Sequence, residues 1–253
     1  MAIKQKVQLS VASIALSAVG LGALPLSASA MNFVPQQQGE INVGLGCLEN
    51  CLELNPVFDS IVSLTDDTSG TRSRLFVDYF GDSDTKQTYG QGTGYVEFKT
   101  KDAGTNSAGF WFRPSEVEAD GSNEEKGQLE VGTYLFNFAQ ELEEITIDFF
   151  DTESKNTTGV LAINGEQLAA PDYVSKGKDG NIFSQTFYNV SSLELKLGYD
   201  NAKQNKTGDG VNFQMRGTVA DTASVPEPAT LLGLLAIAGA GLSLRKKAEQ
   251  DIA

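Results

Sequence analysis

The chain has 253 residues, with 33 acidic against 19 basic side chains, a net charge of −14 and no histidine. So acidic a surface offers no basic stripe to replace phosphate counterions, which excludes nucleic acid as a partner. The lack of histidine excludes Ser-His-Asp and Cys-His catalysis, His-ligated zinc and c-type haem attachment.

The N-terminus has the three parts of a secretory signal. Lys4 and Lys6 give a positive start, Val7–Leu26 is apolar, and Ala28-Ser29-Ala30 forms an A-x-A box. Residues 1–30 are therefore expected to leave by the Sec translocon and to be cut after Ala30 by signal peptidase. Residues 31–56 follow as an irregular arm that contains Cys47 and Cys51, the two cysteines of the chain. In an exported protein a local disulfide between them is expected, with free thiols as the competing reading. Zinc would need further Cys or His ligands, and the sequence has none to supply them.

Residues 57–220 read as one domain made of strands. Arg74–Phe80, Tyr95–Thr100, Gly109–Arg113, Gly132–Ala139 and Ile182–Tyr188 are candidate strands. Ile145, Ile147 and Phe149 alternate with polar residues, as do Leu193, Leu195 and Leu197, and then Val211, Phe213, Met215 and Val219. Period-2 alternation marks strands with one buried face. Asn164-Gly165 lies between two short apolar runs and predicts a two-residue hairpin, because both positions favour positive φ. Turn clusters at 66–70, 90–94, 102–107, 175–180 and 203–210 separate the strands. The fold class expected is all-β: an antiparallel β-sandwich, jelly-roll-like.

Four groups of residues in this body carry candidate chemistry. Asp148, Asp151 and Glu153 are candidate calcium ligands, since hard oxygen donors in sandwich loops suit that ion. Asp78 with Asp82 and Asp84 is a second acidic cluster, and Asp209 sits in a Gly-rich turn. None has EF-hand spacing, and Asp and Asn form Asx turns without metal. Trp111, within Phe110-Trp111-Phe112, is the candidate carbohydrate contact, against a reading as core. Glu144-Ile145-Thr146-Ile147-Asp148 half-matches the Glu-x-Asp-x-Glu strand of laminarinase-type jelly-roll glycosidases, in which carboxylates share one face. The middle carboxylate is replaced by Thr146, so no enzyme is expected. The sequons at Asn156, Asn189 and Asn205 are ordinary products of polar turns.

The C-terminus is the most specific part of the chain. A linker, 221–228, ends in Pro226-Glu227-Pro228, whose prolines hold the backbone extended. An uncharged apolar run, Ala229–Leu244, follows, then Arg245-Lys246-Lys247 and a short polar tail, 248–253. As a helix the run is about 24 Å long, short against a hydrocarbon core of roughly 30 Å, which lysine snorkelling extends. The positive-inside rule places the basic end in the cytoplasm and the body outside. A transmembrane sorting helix over 229–247 is expected.

This tail resembles the bacterial PEP-CTERM sorting signal. The resemblance rests on Pro226, Glu227, Pro228, the Leu/Ala/Gly-rich run and Arg245, Lys246 and Lys247. It implies recognition of Glu227 by an exosortase, a membrane cysteine protease, and removal of the tail. It also implies an exported protein, transiently anchored in the inner membrane, then associated with exopolysaccharide or biofilm matrix at the cell surface. Leu129-Glu130-Val131-Gly132, Phe149-Phe150-Asp151-Thr152-Glu153 and Gly208-Asp209-Gly210-Val211-Asn212-Phe213 resemble the LEVG group of the same proteins. The expected role is a non-catalytic surface or matrix protein without a required cofactor, calcium aside. A carbohydrate-binding module is the alternative.

Overall fold

The computed structural model describes residues 30–81, 87–92, 94–98, 109–117, 131–178, 180–199 and 211–219. The signal segment before Ala30, Asp82, Asp84, Leu129, Glu130, Asn205, Asp209 and the whole sorting tail lie outside those residues. The described part is all-β. Its strands are β1 (Met31–Asn32), β2 (Gly39–Ile41), β3 (Phe58–Leu64), β4 (Ser73–Phe80), β5 (Gln87–Tyr89) and β6 (Val96–Phe98). They continue as β7 (Gly109–Glu116), β8 (Gly132–Phe150), β9 (Gly159–Ile163), β10 (Glu166–Tyr173), β11 (Ile182–Leu197) and β12 (Asn212–Val219).

Two strands are far longer than the alternation suggests. The expected strands Gly132–Ala139 and Ile145–Phe149 are the two halves of β8, which runs for 19 residues. Ile182–Tyr188 and Leu193–Leu197 are likewise halves of β11, with 16 residues. The reason is a slip in phase. β8 buries Tyr134, Phe136 and Phe138, exposes residues 139–141, then buries Ile145, Ile147 and Phe149. The inward side therefore changes from even to odd positions. β11 answers with a register shift between Val190 and Ser192 and with Asn189 at φ 56°. Both strands bend where the pairing slips, as bulged strands do.

The bends divide one continuous antiparallel sheet into two layers. The first layer contains β3, the first half of β8, the second half of β11, β9 and β10. The second contains the first half of β11, the second half of β8, β12, β7, β4 and β2. β1 pairs with the far end of β12. The layers face each other through aromatic side chains. Phe58 on β3 meets Phe112 on β7 with 6.4 Å between ring centroids, and Phe136 on β8 meets Phe213 on β12 at 6.0 Å. The Tyr134 hydroxyl donates to the Arg74 carbonyl across the gap at 2.6 Å. Each such ring contributes about 1.5–3 kcal/mol through burial, so the expected sandwich is held chiefly by this interface.

The Asn164-Gly165 turn does two jobs. Both residues have positive φ, 55° and 79°, and Ile163 pairs with Glu166 as in a two-residue hairpin. The Asn164 side chain also enters the β11 bulge. Its Oδ1 accepts from the Ser191 amide at 2.7 Å and the Ser192 amide at 3.3 Å, and its Nδ2 donates to the Asn189 carbonyl at 2.8 Å. The turn residue thus satisfies backbone groups that the bulge takes out of the ladder.

Candidate functional site

The outer side of β2, β4 and β7 holds a group of buried polar and charged side chains. Alternation along β4 sends Leu75 and Val77 into the main core and Phe76 and Asp78 to the opposite face. Register then aligns Glu40, Phe76 and Arg113 across three strands. This face is not open to solvent. The β5–β6 hairpin and the loop between Cys47 and Cys51 roof it over, forming a second small core of Phe76, Val96 and Phe98 with Leu48 and Tyr89 against it. Phe76 lies 4.8 Å from Tyr89 and 5.2 Å from Phe98.

Three charged residues are buried under that roof. Arg113 is 1% exposed and donates from Nη1 to Asp78 Oδ2 at 2.7 Å, and its guanidinium lies 4.2 Å from the centre of the Phe98 ring. Gln38 and the Tyr79 amide donate to the other Asp78 oxygen, each at 3.0 Å. Glu40 is 2% exposed and accepts from Arg74 Nη1 and from the Leu48 amide, both at 2.6 Å. Burial raises the Glu40 carboxyl above its ordinary range, against the opposing hydrogen bonds of Leu48 and Arg74. Burial, with Asp78 and Glu49 adding negative charge, also keeps the Tyr89 phenol protonated well above its usual range.

The roof is tied down at both sides. Cys47 and Cys51 form a disulfide with 5.5 Å between their Cα atoms. Glu40 and Cys51 make a parallel bridge, so the bonded loop lies along the edge of β2. The Gly90 amide donates to Glu49 at 3.1 Å, joining the hairpin to the loop. The charges of Arg113, Asp78 and Glu40 are thereby paired within the fold, where they hold the roof, while the buried Tyr89 hydroxyl has no hydrogen-bond partner among the described residues.

The candidate residues read from sequence fall elsewhere. Trp111 is 2% exposed and packs edge-on to Phe150 at 5.6 Å between centroids. The alternation of Phe110-Trp111-Phe112 is as expected, but the roofed face buries the indole as well. It has no open face on which a sugar ring could stack. Asp148, Asp151 and Glu153 do not gather around a common point, and among the described residues no group of three His, Cys, Asp or Glu is placed to hold a metal. Asp148 accepts from Ser184 at 2.5 Å and is paired with Arg216. Asp151 turns away at φ 63° and accepts from the Gly180 amide at 2.8 Å. Asp78, from the second acidic cluster, is paired with Arg113.

Other sequence features also have structural uses. Glu144 and Asp148 are four residues apart on one strand, about 13 Å at the usual rise, which exceeds the ~5–9.5 Å separation of glycosidase carboxylates. Thr146 between them bonds Thr186 at 2.9 Å. Asn156 and Asn189, at φ 61° and 56°, occupy left-handed positions that asparagine tolerates. An open depression of about 290 Å³ lies beside Asn156, lined also by Lys155, Tyr173, Val174, Ser175 and Lys176. Sequence reading missed Glu40, Arg74 and Arg113. The signal was present in Arg113, a charge directly after the aromatic run, and in Asp78, a charge inside the apolar run of β4.

Residues 224–247 match the PEP-CTERM protein-sorting motif family. No curated protein and no solved structure matches the chain. The match spans the Pro-Glu-Pro, the apolar run and the basic stop described above. The chain carries the PEP-CTERM sorting motif at residues 224–247, which makes it an exported protein of the exosortase route, anchored in the membrane until it is processed.

Proposed function

We propose that this protein is a non-catalytic structural component of the cell surface or extracellular matrix, associated with exopolysaccharide or biofilm. The observation that carries this reading is the sorting motif at residues 224–247. The body supports it. Its buried charges, Asp78, Arg113 and Glu40, are paired inside the fold, and its acidic surface suits a protein that stays soluble once its tail is removed. Glu227 is the residue on which the exosortase acts, with Pro226 and Pro228 keeping it extended. The Sec translocon and signal peptidase act first, at Ala28 and Ala30.

Mass spectrometry of the protein from its host tests the reading. In the wild-type strain the tail after the Pro-Glu-Pro segment is expected to be absent and the protein to fractionate with the matrix. In a strain lacking the processing protease the chain is expected to keep residues 229–253 and to stay with the membrane. An unprocessed C-terminus in both strains would overturn the sorting claim. A processed protein found free in the medium, without matrix polysaccharide, would overturn the structural role.

A further inference from the structure

The sheet has several free edges, and one of them lacks the usual protection. β10 carries Pro171 together with Glu166 and Asp172. β3 places Asp59, exposed, in its course. β2 is three residues long and is covered by the bridge to Cys51. Charges, proline, short length and a covering loop are the devices that stop edge strands from pairing with other chains. The first half of β11 has none of them, its tie to β10 being one side chain, Gln185, which donates to the Asp172 carbonyl at 3.0 Å. Among the described residues, the segment Ile182–Tyr188 pairs with β8 on one side and with no strand on the other. It contains no charge, no proline and no glycine, within a chain of net charge −14.

Its exposure pattern also differs from that of its neighbour. The outward residues Ile182 and Tyr188 are 46% and 63% exposed. The inward residues Phe183 and Phe187 are only partly buried, whereas Ile145 and Phe149, paired with them on β8, are fully buried. The core is therefore half covered along this edge.

The segment has a local symmetry that points to its occupant. Read outward from Gln185, the residues match in pairs: Ser184 with Thr186, Phe183 with Phe187, Ile182 with Tyr188. An antiparallel two-fold pairing centred on Gln185 sets hydroxyl against hydroxyl, phenylalanine against phenylalanine and one exposed apolar side chain against the other. Such directly opposed pairs are the unit of sheet stabilisation, and a two-fold interface needs a surface that complements itself. We propose that Ile182–Tyr188 is the pairing edge between two copies of this chain, which join their second layers into one continuous antiparallel sheet. The neutral edge lets two acidic molecules approach, and the facing phenylalanines complete the core seam.

Two measurements on the full chain in detergent test this. In sedimentation velocity the wild type is expected to be dimeric at micromolar concentration. Ile182→Lys/Tyr188→Lys sets lysine against lysine twice and is expected to weaken self-association by roughly a hundredfold. Both positions are exposed, so the circular dichroism should stay as in the wild type, and the thermal midpoint should fall only by what the lost association contributed. Ala169→Lys/Ala170→Lys, on the guarded β10 edge, is expected to leave the dimer intact. For register, differently tagged Ile182→Cys and Tyr188→Cys chains are mixed and treated with a short thiol cross-linker, the native cysteines being bonded to each other. The two chains are expected to link to each other and not to themselves, because like positions lie about 20 Å apart in this pairing. A monomeric wild type, a dimer that survives the double lysine variant, or self-linking of Tyr188→Cys would each overturn the proposal.

Discussion

The two sides of β4 and β7 are built on opposite principles. One side faces the main core, where Leu75, Val77 and Phe112 meet Phe58, Phe136 and Phe213 with no charge among them. The other side faces the roof, where Phe76 and Phe98 share a much smaller space with Arg113, Asp78 and Glu40. Apolar packing is non-directional, so the main core follows from strand alternation alone. The roofed side is directional. It depends on Arg113 reaching Asp78, on Glu40 reaching Leu48 and Arg74, and on a disulfide that fixes the loop. The same strands thus carry one face specified by pattern and one specified by partners.

The largest test of this contrast removes a ring from the apolar side. Phe136→Ala leaves a cavity between the layers and should cost about 3–5 kcal/mol, read as a lower urea midpoint. On the roofed side, Asp78→Ala leaves Arg113 buried without its carboxylate and should cost about 3 kcal/mol or more. The two differ in what repairs them. Adding Arg113→Met to Asp78→Ala should recover much of the loss, because the buried charge is gone, and a double-mutant cycle measures that recovery. If Arg113→Met deepens the loss instead, the ion pair is not what makes Asp78 indispensable.

A smaller effect separates the roof from the rest of the fold. Cys47→Ser/Cys51→Ser frees a loop of about five residues, for which chain entropy gives about 2 kcal/mol. The loss should be local. Amide exchange should quicken at Leu48 and Gly90, whose hydrogen bonds to Glu40 and Glu49 tie the roof down. Amides in the β8–β11 ladder should exchange as before. Faster exchange in that ladder would mean that the roof and the main core unfold as one unit.

The contrast also explains what the sequence made legible. Alternation along Val211–Val219 and Leu193–Leu197 identified the strands because their inward sides face a purely apolar layer. It missed the continuity of β8, because its inward side slips from Phe138 to Ile145 across a bend. It missed the roofed site for a different reason. By alternation alone Asp78 and Glu40 read as solvent-facing, and only loops distant in sequence, around Cys47 and Tyr89, turn that face inward. Trp111 was ambiguous on the same ground. Its strand showed which way it pointed but not that the face was covered. The sorting motif was legible because its parts are contiguous and need no partner from elsewhere in the fold.

The finest test concerns charge on the roofed side. Burial raises the Glu40 carboxyl above the 4.5 of an unperturbed glutamate. The folded protein therefore holds a proton there more tightly than the unfolded chain does. Its contribution to stability is fully present below about pH 4.5 and is lost as pH rises through the folded-state value. Glu40→Gln keeps an oxygen to accept a hydrogen bond but does not titrate. Urea midpoints measured across that window should fall with rising pH more steeply in the wild type than in Glu40→Gln, once the other carboxylates' shared contribution is subtracted. Identical pH profiles for the two proteins would mean that Arg74 and the Leu48 amide fully offset the cost of burying the charge. The roofed face would then resemble the apolar one in its indifference to pH, and the contrast between the two sides would rest on Asp78 and Arg113 alone.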